Sequence, residues 1–302
     1  MESGPQTRCG FVALIGPTNA GKSTLLNYLV GAKLAIVTHK VQTTRARLRG
    51  ITVVGDAQII FVDTPGIFKP QRRLDRAMVQ AAWGGAEEAD SIVLVIDAVR
   101  GLNADAQTIL DGLHNTGRKA VLVLNKIDLL KREDLLALAE KFNLSGLFTR
   151  IFMISASNGD GVDDLRNFLA GSVPSGPWLY PEDQLSDVTG RMMASEITRE
   201  KLFLRVHQEL PYDSTVETES WKDMKDGSAR LEQTIYVRRD SQKPIILGKN
   251  GQTIKQIGEA ARLEMEKAFE RRIHLFLHVK VNEKWLDEPA RYRMMGLEFN
   301  KG

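Results

Sequence analysis

The sequence predicts an α/β domain, a mostly parallel sheet with helices on both faces, followed by a smaller α+β domain that begins with a helix. Three observations carry this. Residues 11 to about 170 alternate apolar, strand-like runs with segments of helical periodicity, the pattern of a sheet covered on both sides. A stretch from Ser172 to Asp187, with Pro174, Gly176, Pro177 and Pro181, then shifts the composition and marks a boundary. Beyond it the elements read α-β-β-α-α-β. The expected divisions are 8–173 for the first domain, 174–188 for a linker, and 189–302 for the second domain with its tail.

Composition bounds the partners. A chain of 302 residues has room for two domains. No apolar run approaches the roughly 20 residues that span a bilayer, and the start, MESGPQTRCG, lacks the charged-then-apolar pattern of a signal peptide. The one cysteine, Cys9, cannot make an internal disulfide, which suits a reducing cytosol. A cytoplasmic monomer is expected. The net charge of +3 is too small to establish a nucleic-acid partner.

In the first domain the strands are expected at 11–15, 50–54, 58–62, 91–96, 120–124 and 151–154. The helices are expected at 22–30, 74–88, 104–115, 133–142 and 162–170. Gly55-Asp56 reads as a hairpin turn, so one edge strand should be antiparallel. Between the first strand and first helix lies GPTNAGKS, comprising Gly16, Pro17, Thr18, Asn19, Ala20, Gly21, Lys22 and Ser23, with Thr24 following. It fits the phosphate-loop pattern G-x-x-x-x-G-K-S/T in the strand–loop–helix setting that the pattern needs. Gly16 and Gly21 let backbone N–H groups face an anion, and the helix adds the positive end of its dipole. Lys22 supplies a point charge for the β and γ phosphates, and Ser23 a hydroxyl for Mg²⁺.

Asp63-Thr64-Pro65-Gly66 ends the third strand, where ligands of open α/β sheets bind. Asp63 can hold Mg²⁺ through a water, and the Gly66 N–H can reach a γ phosphate. Asn125-Lys126-Ile127-Asp128 ends the fifth strand and makes the base readable. An Asp128 carboxylate accepts two hydrogen bonds from the N1–H and 2-amino group of guanine. Adenine would leave it unpaired, a penalty large enough for strong rejection. Asn125 would tie loops together and the Lys126 stem would lie over the base. After the sixth strand come Ser155, Ala156 and Ser157, where the Ala156 N–H would face guanine O6.

These four motifs, in this order, resemble a Ras-like P-loop GTPase domain over about 160 residues. The resemblance implies GTP/GDP and Mg²⁺ as ligands. It also implies a Mg²⁺-binding threonine within Val41-Gln42-Thr43-Thr44-Arg45, on a loop that orders on the γ phosphate. Thr44 is favoured and Thr43 stays open. Ras-type enzymes place a water-orienting glutamine after D-x-x-G; this chain has Ile67, which cannot hydrogen-bond water. Asn19 matches the phosphate-loop asparagine of bacterial GTPases that recruit K⁺ near the phosphates. The alternative, that Asn19 only braces the loop, stays open. Catalysis is thus expected to rest on Asn19, Lys22, Thr44 and Gly66.

The linker core, Trp178 to Asp183, is amphipathic and suited to packing. In the second domain a helix is expected at 191–209, with Ile197, Leu202, Leu204 and Val206 among its apolar positions. Strands are expected at 215–219, 230–237 and 272–281, and a long helix at 252–269. The apolar run Pro244 to Leu247 leads into Gly248-Lys249-Asn250-Gly251. In that setting Gly248-x-x-Gly251 resembles the clamp of a KH domain of the helix-first type. Its glycines admit a sugar–phosphate backbone, and Lys249 and Lys255 add charge. Bases would lie over an apolar groove floored by Ile246 and Ile254. From Arg230 to Lys280 there are eleven Lys/Arg against six Asp/Glu, an excess of 11 − 6 = +5 focused on this module.

A Ras-like domain followed by a KH domain resembles the Era family of bacterial GTPases over nearly the whole chain. The segments Gln42 to Arg45, Tyr180 to Gln184, Glu209 to Tyr212 and Gly248 to Gly251 carry that resemblance. It implies a small-subunit ribosome assembly factor. It implies binding of the single-stranded 3′ end of small-subunit rRNA through the KH domain, and peripheral contact with the cytoplasmic face of the inner membrane.

Overall fold

The structure, a computed structural model, describes residues 7–40, 42–207 and 210–299. Val41 of the expected effector stretch and Glu209, the expected end of the 191–209 helix, lie outside the described residues. Two compact units emerge. Within the described residues the first comprises 7–35, 44–187 and 293–299, and the second 36–40, 42–43, 188–207 and 210–292.

The first unit is built on six strands: β1 (Arg8–Ile15), β2 (Leu48–Val54), β3 (Ala57–Asp63), β4 (Ser91–Asp97), β5 (Ala120–Asn125) and β6 (Phe148–Ile154). They stand in the order β2-β3-β1-β4-β5-β6. The edge strand β2 is antiparallel to β3, as the Gly55 turn requires, and the other neighbours are parallel. Helices α1 (Lys22–Val30) and α5 (Val162–Ser172) cover one face. Helices α2 (Arg73–Glu88), α3 (Ala104–Thr116) and α4 (Arg132–Asn143) cover the other. That double cover explains why the central strands read as unbroken apolar runs; β3 is buried at every position. β1 pairs with β3 on one side and β4 on the other, so the loop after it opens at the point where strand order reverses.

The 174–187 stretch is a strap on this unit. The buried Gln58 side chain accepts the N–H groups of Leu179 and Tyr180 at 2.9 and 3.0 Å and donates to the Tyr180 carbonyl at 2.8 Å. The Ile51 N–H donates to the Leu185 carbonyl at 2.8 Å. The composition that breaks helices and strands here does not loosen the chain, because its backbone groups find partners on β2 and β3.

The second unit runs α6 (Gly190–Arg205), β7 (Ser214–Asp223), β8 (Ala229–Val237), α7 (Lys243–Leu247), α8 (Gln252–Phe269), β9 (Ile273–Val281) and α9 (Pro289–Met294). Its sheet is β7-β8-β9, antiparallel then parallel. Ile197, Leu202 and Phe203 of α6, and Ile257, Ala261 and Met265 of α8, are buried; all but Phe203 lie in the apolar clusters shared with the strands. Two sequence expectations are corrected. The first helix ends at Arg205, because Val206 turns extended, and Leu204 is exposed while its neighbour Phe203 is buried. Strand β7 continues four residues beyond 219, through Ser220, Trp221, Lys222 and Asp223, because these residues pair with β8 and Trp221 packs against the apolar cluster. Residues 36–43 belong to this unit, where the Glu200 carboxylate accepts the Val37 N–H at 3.0 Å.

Candidate functional site

Four loops at the carboxyl ends of β1, β3, β5 and β6 converge in the first unit. The first, Gly16 to Gly21, turns sharply. Gly16 has φ 152° and a Cβ there would lie 2.2 Å from the Val95 carbonyl oxygen, so only glycine fits. Gly21 caps α1 in the left-handed region, at φ 95°. Lys22, in the first turn of α1, is buried and donates to the carbonyls of Gly16 and Pro17 at 3.0 and 2.9 Å. Burial pulls its ammonium down to about 8, against the pull of the Asp63 carboxylate. A buried cation bonded only to neutral carbonyls is a site prepared for an anion.

Parallel pairing sets Asp63 beside Leu14, and Thr64 locks the join by donating to the Leu14 carbonyl at 2.8 Å. Asp63 Oδ2 accepts from Ser23 Oγ at 2.7 Å, and Ser23 Oγ lies 2.8 Å from Thr44 Oγ1. Burial pushes the Asp63 carboxyl up to about 6, opposed first by the charge of Lys22. Its second oxygen, Oδ1, is buried without a hydrogen-bond partner. Thr43 is not in this cluster: its hydroxyl donates to the Lys40 carbonyl at 2.8 Å. Of the two candidate threonines, geometry places Thr44 with Ser23 and Asp63.

Pro65, Gly66 and Ile67 are buried. A Cβ on Gly66 would meet the Thr18 backbone at 2.9 Å, so the second loop lies directly on the first. Ile67 donates its N–H to the Gly16 carbonyl at 3.0 Å and points its side chain into the core beside Ala13, Ile15 and Ala82. It is therefore outside the site, not only chemically unable to orient water.

Asn125 ties three loops, as its amide suits. Its Nδ2 donates to the Ala20 carbonyl and its Oδ1 accepts the Ala156 N–H, both at 2.9 Å. That second bond corrects one expectation: the Ala156 N–H is aimed at Asn125 rather than at an open base site. Lys126 adopts φ 69° and donates to the Asn19 carbonyl at 3.0 Å and to Asp97 Oδ2 at 2.6 Å. Ile127 and Asp128 open the short 3₁₀ turn that follows, and Asp128 is exposed. Ser155 Oγ and Ser157 Oγ lie 2.9 Å apart, with Ser155 buried. Thr24 is half-buried in the first turn of α1. Asp97 lies in none of the four sequence motifs. The available signal was a carboxylate ending an apolar strand, as Asp63 does.

In the second unit Gly248 has φ 72° and a Cβ would strike Thr253 Oγ1 at 2.1 Å; Asn250 and Gly251 follow at φ 52° and 73°. This left-handed turn delivers the chain into α8, whose N-cap is Gly251. Lys249 and Lys255 are exposed beside it. Ile254 is half-buried and available to a groove. Ile246 is not: it is fully buried against Leu202, Ile257 and Val279. The run 243–247 is a helical turn, whose period sends Ile246 inward and leaves Ile245 57% exposed.

The GTPase family described as "50S ribosome-binding GTPase" matches residues 11–126, and a KH domain matches residues 209–286. The chain is 64% identical over 296 residues to GTPase Era of Agrobacterium fabrum (strain C58 / ATCC 33970), covering 98% of this chain and 93% of that protein. The chain belongs to the Era family of GTPases. GTPase Era of Rhizobium meliloti (strain 1021) is 62% identical over 295 residues, 98% and 94% of the two chains. Two solved Era structures superpose with TM-score 0.91 at 36% identity, covering 96% of this chain and 99% of theirs. One is an Aquifex aeolicus Era variant bound to GDP·AlF4⁻; the other is Era in complex with MgGDPNP and nucleotides 1506–1542 of 16S ribosomal RNA. The first unit thus carries the GTPase domain, and the Gly248–Gly251 turn lies within the KH domain.

Proposed function

We propose that this GTPase uses its nucleotide state to control a KH module that binds the single-stranded 3′ end of small-subunit rRNA and assists small-subunit assembly. The observation that carries the switch is the Thr44–Ser23–Asp63 cluster beside buried Lys22. GTP or GDP would lie along the Gly16–Ser23 loop with guanine at Asp128. The donor set fits Mg²⁺. Two hydroxyls and one carboxylate with an orphaned buried oxygen match a small hard cation that keeps waters and takes phosphate oxygens. Ser23 and Thr44 would hold it directly and Asp63 through water; bound there, it would neutralise charge on the β and γ phosphates. Through that cation Thr44 would couple its segment to the γ phosphate, so the nucleotide's state would be sensed locally.

With Ile67 in the core, transition-state charge needs another source. K⁺ held near Asn19 would supply it. Hydrolysis is then faster in K⁺ than in Na⁺ at equal ionic strength; equal rates with intact nucleotide affinity remove the cation.

On the RNA side, the clamp is Gly248–Gly251 with Lys249, Lys255 and Ile254, and the 16S rRNA fragment in the Era complex sets the class of ligand. Membrane contact in this reading is peripheral; no described helix is long and apolar enough to cross a membrane. The protein acts as a monomer whose two domains divide near residue 188.

The deciding experiment measures affinity for a short single-stranded oligonucleotide copying the organism's own small-subunit rRNA 3′ end. It compares GDP with a non-hydrolysable GTP analogue, and wild type with Gly251→Asp. Tight binding only with the analogue, lost in the variant, is the expected result. Binding indifferent to nucleotide but lost in the variant leaves a constitutive RNA scaffold. No binding in any state removes the RNA assignment.

A further inference from the structure

Lys126 is the member of the base-binding loop with the most freedom to lose. A lysine stem has four rotatable bonds, and holding it in one conformation costs rotamer entropy. In this structure both ends of the stem are held. The backbone is in the left-handed region at φ 69°, and the ammonium is tied to Asp97 Oδ2 at 2.6 Å and the Asn19 carbonyl at 3.0 Å.

Asp97 is itself rigid. It ends β4, paired in register with Asn125, and is 7% exposed. Its other oxygen, Oδ1, accepts the Val99 N–H at 3.0 Å, and its carbonyl accepts the N–H groups of Arg100 and Gly101, both at 3.0 Å. Arg100 approaches the carboxylate only to 3.9 Å, so Lys126 is its principal cation.

We propose that Asp97 is a positioning residue for nucleotide binding: it anchors the Lys126 ammonium so that the methylene stem forms a fixed apolar bar against which the purine stacks. The anchored ammonium also reaches the phosphate loop through the Asn19 carbonyl, so one side chain braces the base end and the phosphate end of the site together. This rests on the guanine-nucleotide reading above. It adds a residue that touches neither base nor phosphate.

The rival role is purely structural, closing the 97–101 turn. A double-mutant cycle on the intact chain separates the two. GDP affinity and GTP turnover are measured for wild type, Asp97→Ala, Lys126→Ala and the double variant, with thermal unfolding alongside. If Asp97 acts through Lys126, each single variant weakens GDP binding about tenfold and raises KM more than it lowers kcat. The double variant is then no weaker than Lys126→Ala alone. Equal losses from Asp97→Ala in the presence and absence of Lys126, or no loss at all, overturn the proposal. Should Asp97→Ala fail to fold, Asp97→Asn keeps a side-chain carbonyl for the Val99 turn and removes the charge; unchanged affinity there likewise overturns it. The underlying base reading is tested apart, by Asp128→Asn, which should shift preference from guanine to xanthine nucleotides whatever Asp97 does.

Discussion

At the residue scale, the phosphate loop and the end of β3 hold Lys22 and Asp63 in each other's field, both displaced by burial. Asp63 keeps its proton to about pH 6 in the fold, whereas an unperturbed aspartate loses it near 3.8. Between those values the folded state binds more protons than the unfolded chain, so stability falls as pH rises through the window. The full effect is of order 3 kcal/mol. Denaturant titrations from about pH 4 to about pH 6, without nucleotide or Mg²⁺, should show the decline, and Asp63→Asn should flatten it. The motif spacing alone brought out the residues that the structure gathers at the ends of β1, β3, β5 and β6. It did not settle the contacts of Ile246 and Ala156, whose neighbours decide what they can touch, or of Asp97, whose partner stands 29 residues away.

At the element scale, periodicity located the strands and helices because each signal is local. Boundaries moved where tertiary pairing overrode composition: β7 gained polar Lys222 and Asp223 by pairing with β8. The proline-rich strap shows the same effect in reverse. Read alone it is a linker; on the protein it is fastened to β2 and β3, with Gln58 making three of the bonds. Gln58→Ala should leave the Leu179 and Tyr180 N–H groups and the Tyr180 carbonyl without that partner. The expected cost is about 1–3 kcal/mol in chemical unfolding, with GDP affinity retained because the strap is not part of the four loops.

At the scale of the whole molecule, a GTPase unit and a KH unit in one chain have a thermodynamic obligation. If nucleotide state changes RNA affinity by some factor, RNA must change the ratio of GTP-analogue to GDP affinity by the same factor. Calorimetry of each ligand with and without the other should return equal coupling factors. RNA affinity should also fall steeply with salt. Lys249→Ala should reduce the slope of log K against log salt by about 0.7, the value for one phosphate contact to a single strand. An unchanged slope would place that lysine off the RNA path.

By itself the sequence determined the two fold classes, the order of their elements, the guanine-nucleotide motifs and the Gly248-x-x-Gly251 motif of the KH domain. Each follows from backbone preference or periodicity over a few residues. Tertiary structure alone decided that Thr44 and not Thr43 joins Ser23 and Asp63, that Ile67 leaves the site for the core, and that Asp97 meets Lys126. Those outcomes depend on which strands become neighbours and in what register, and no local stretch of chain encodes its distance to another.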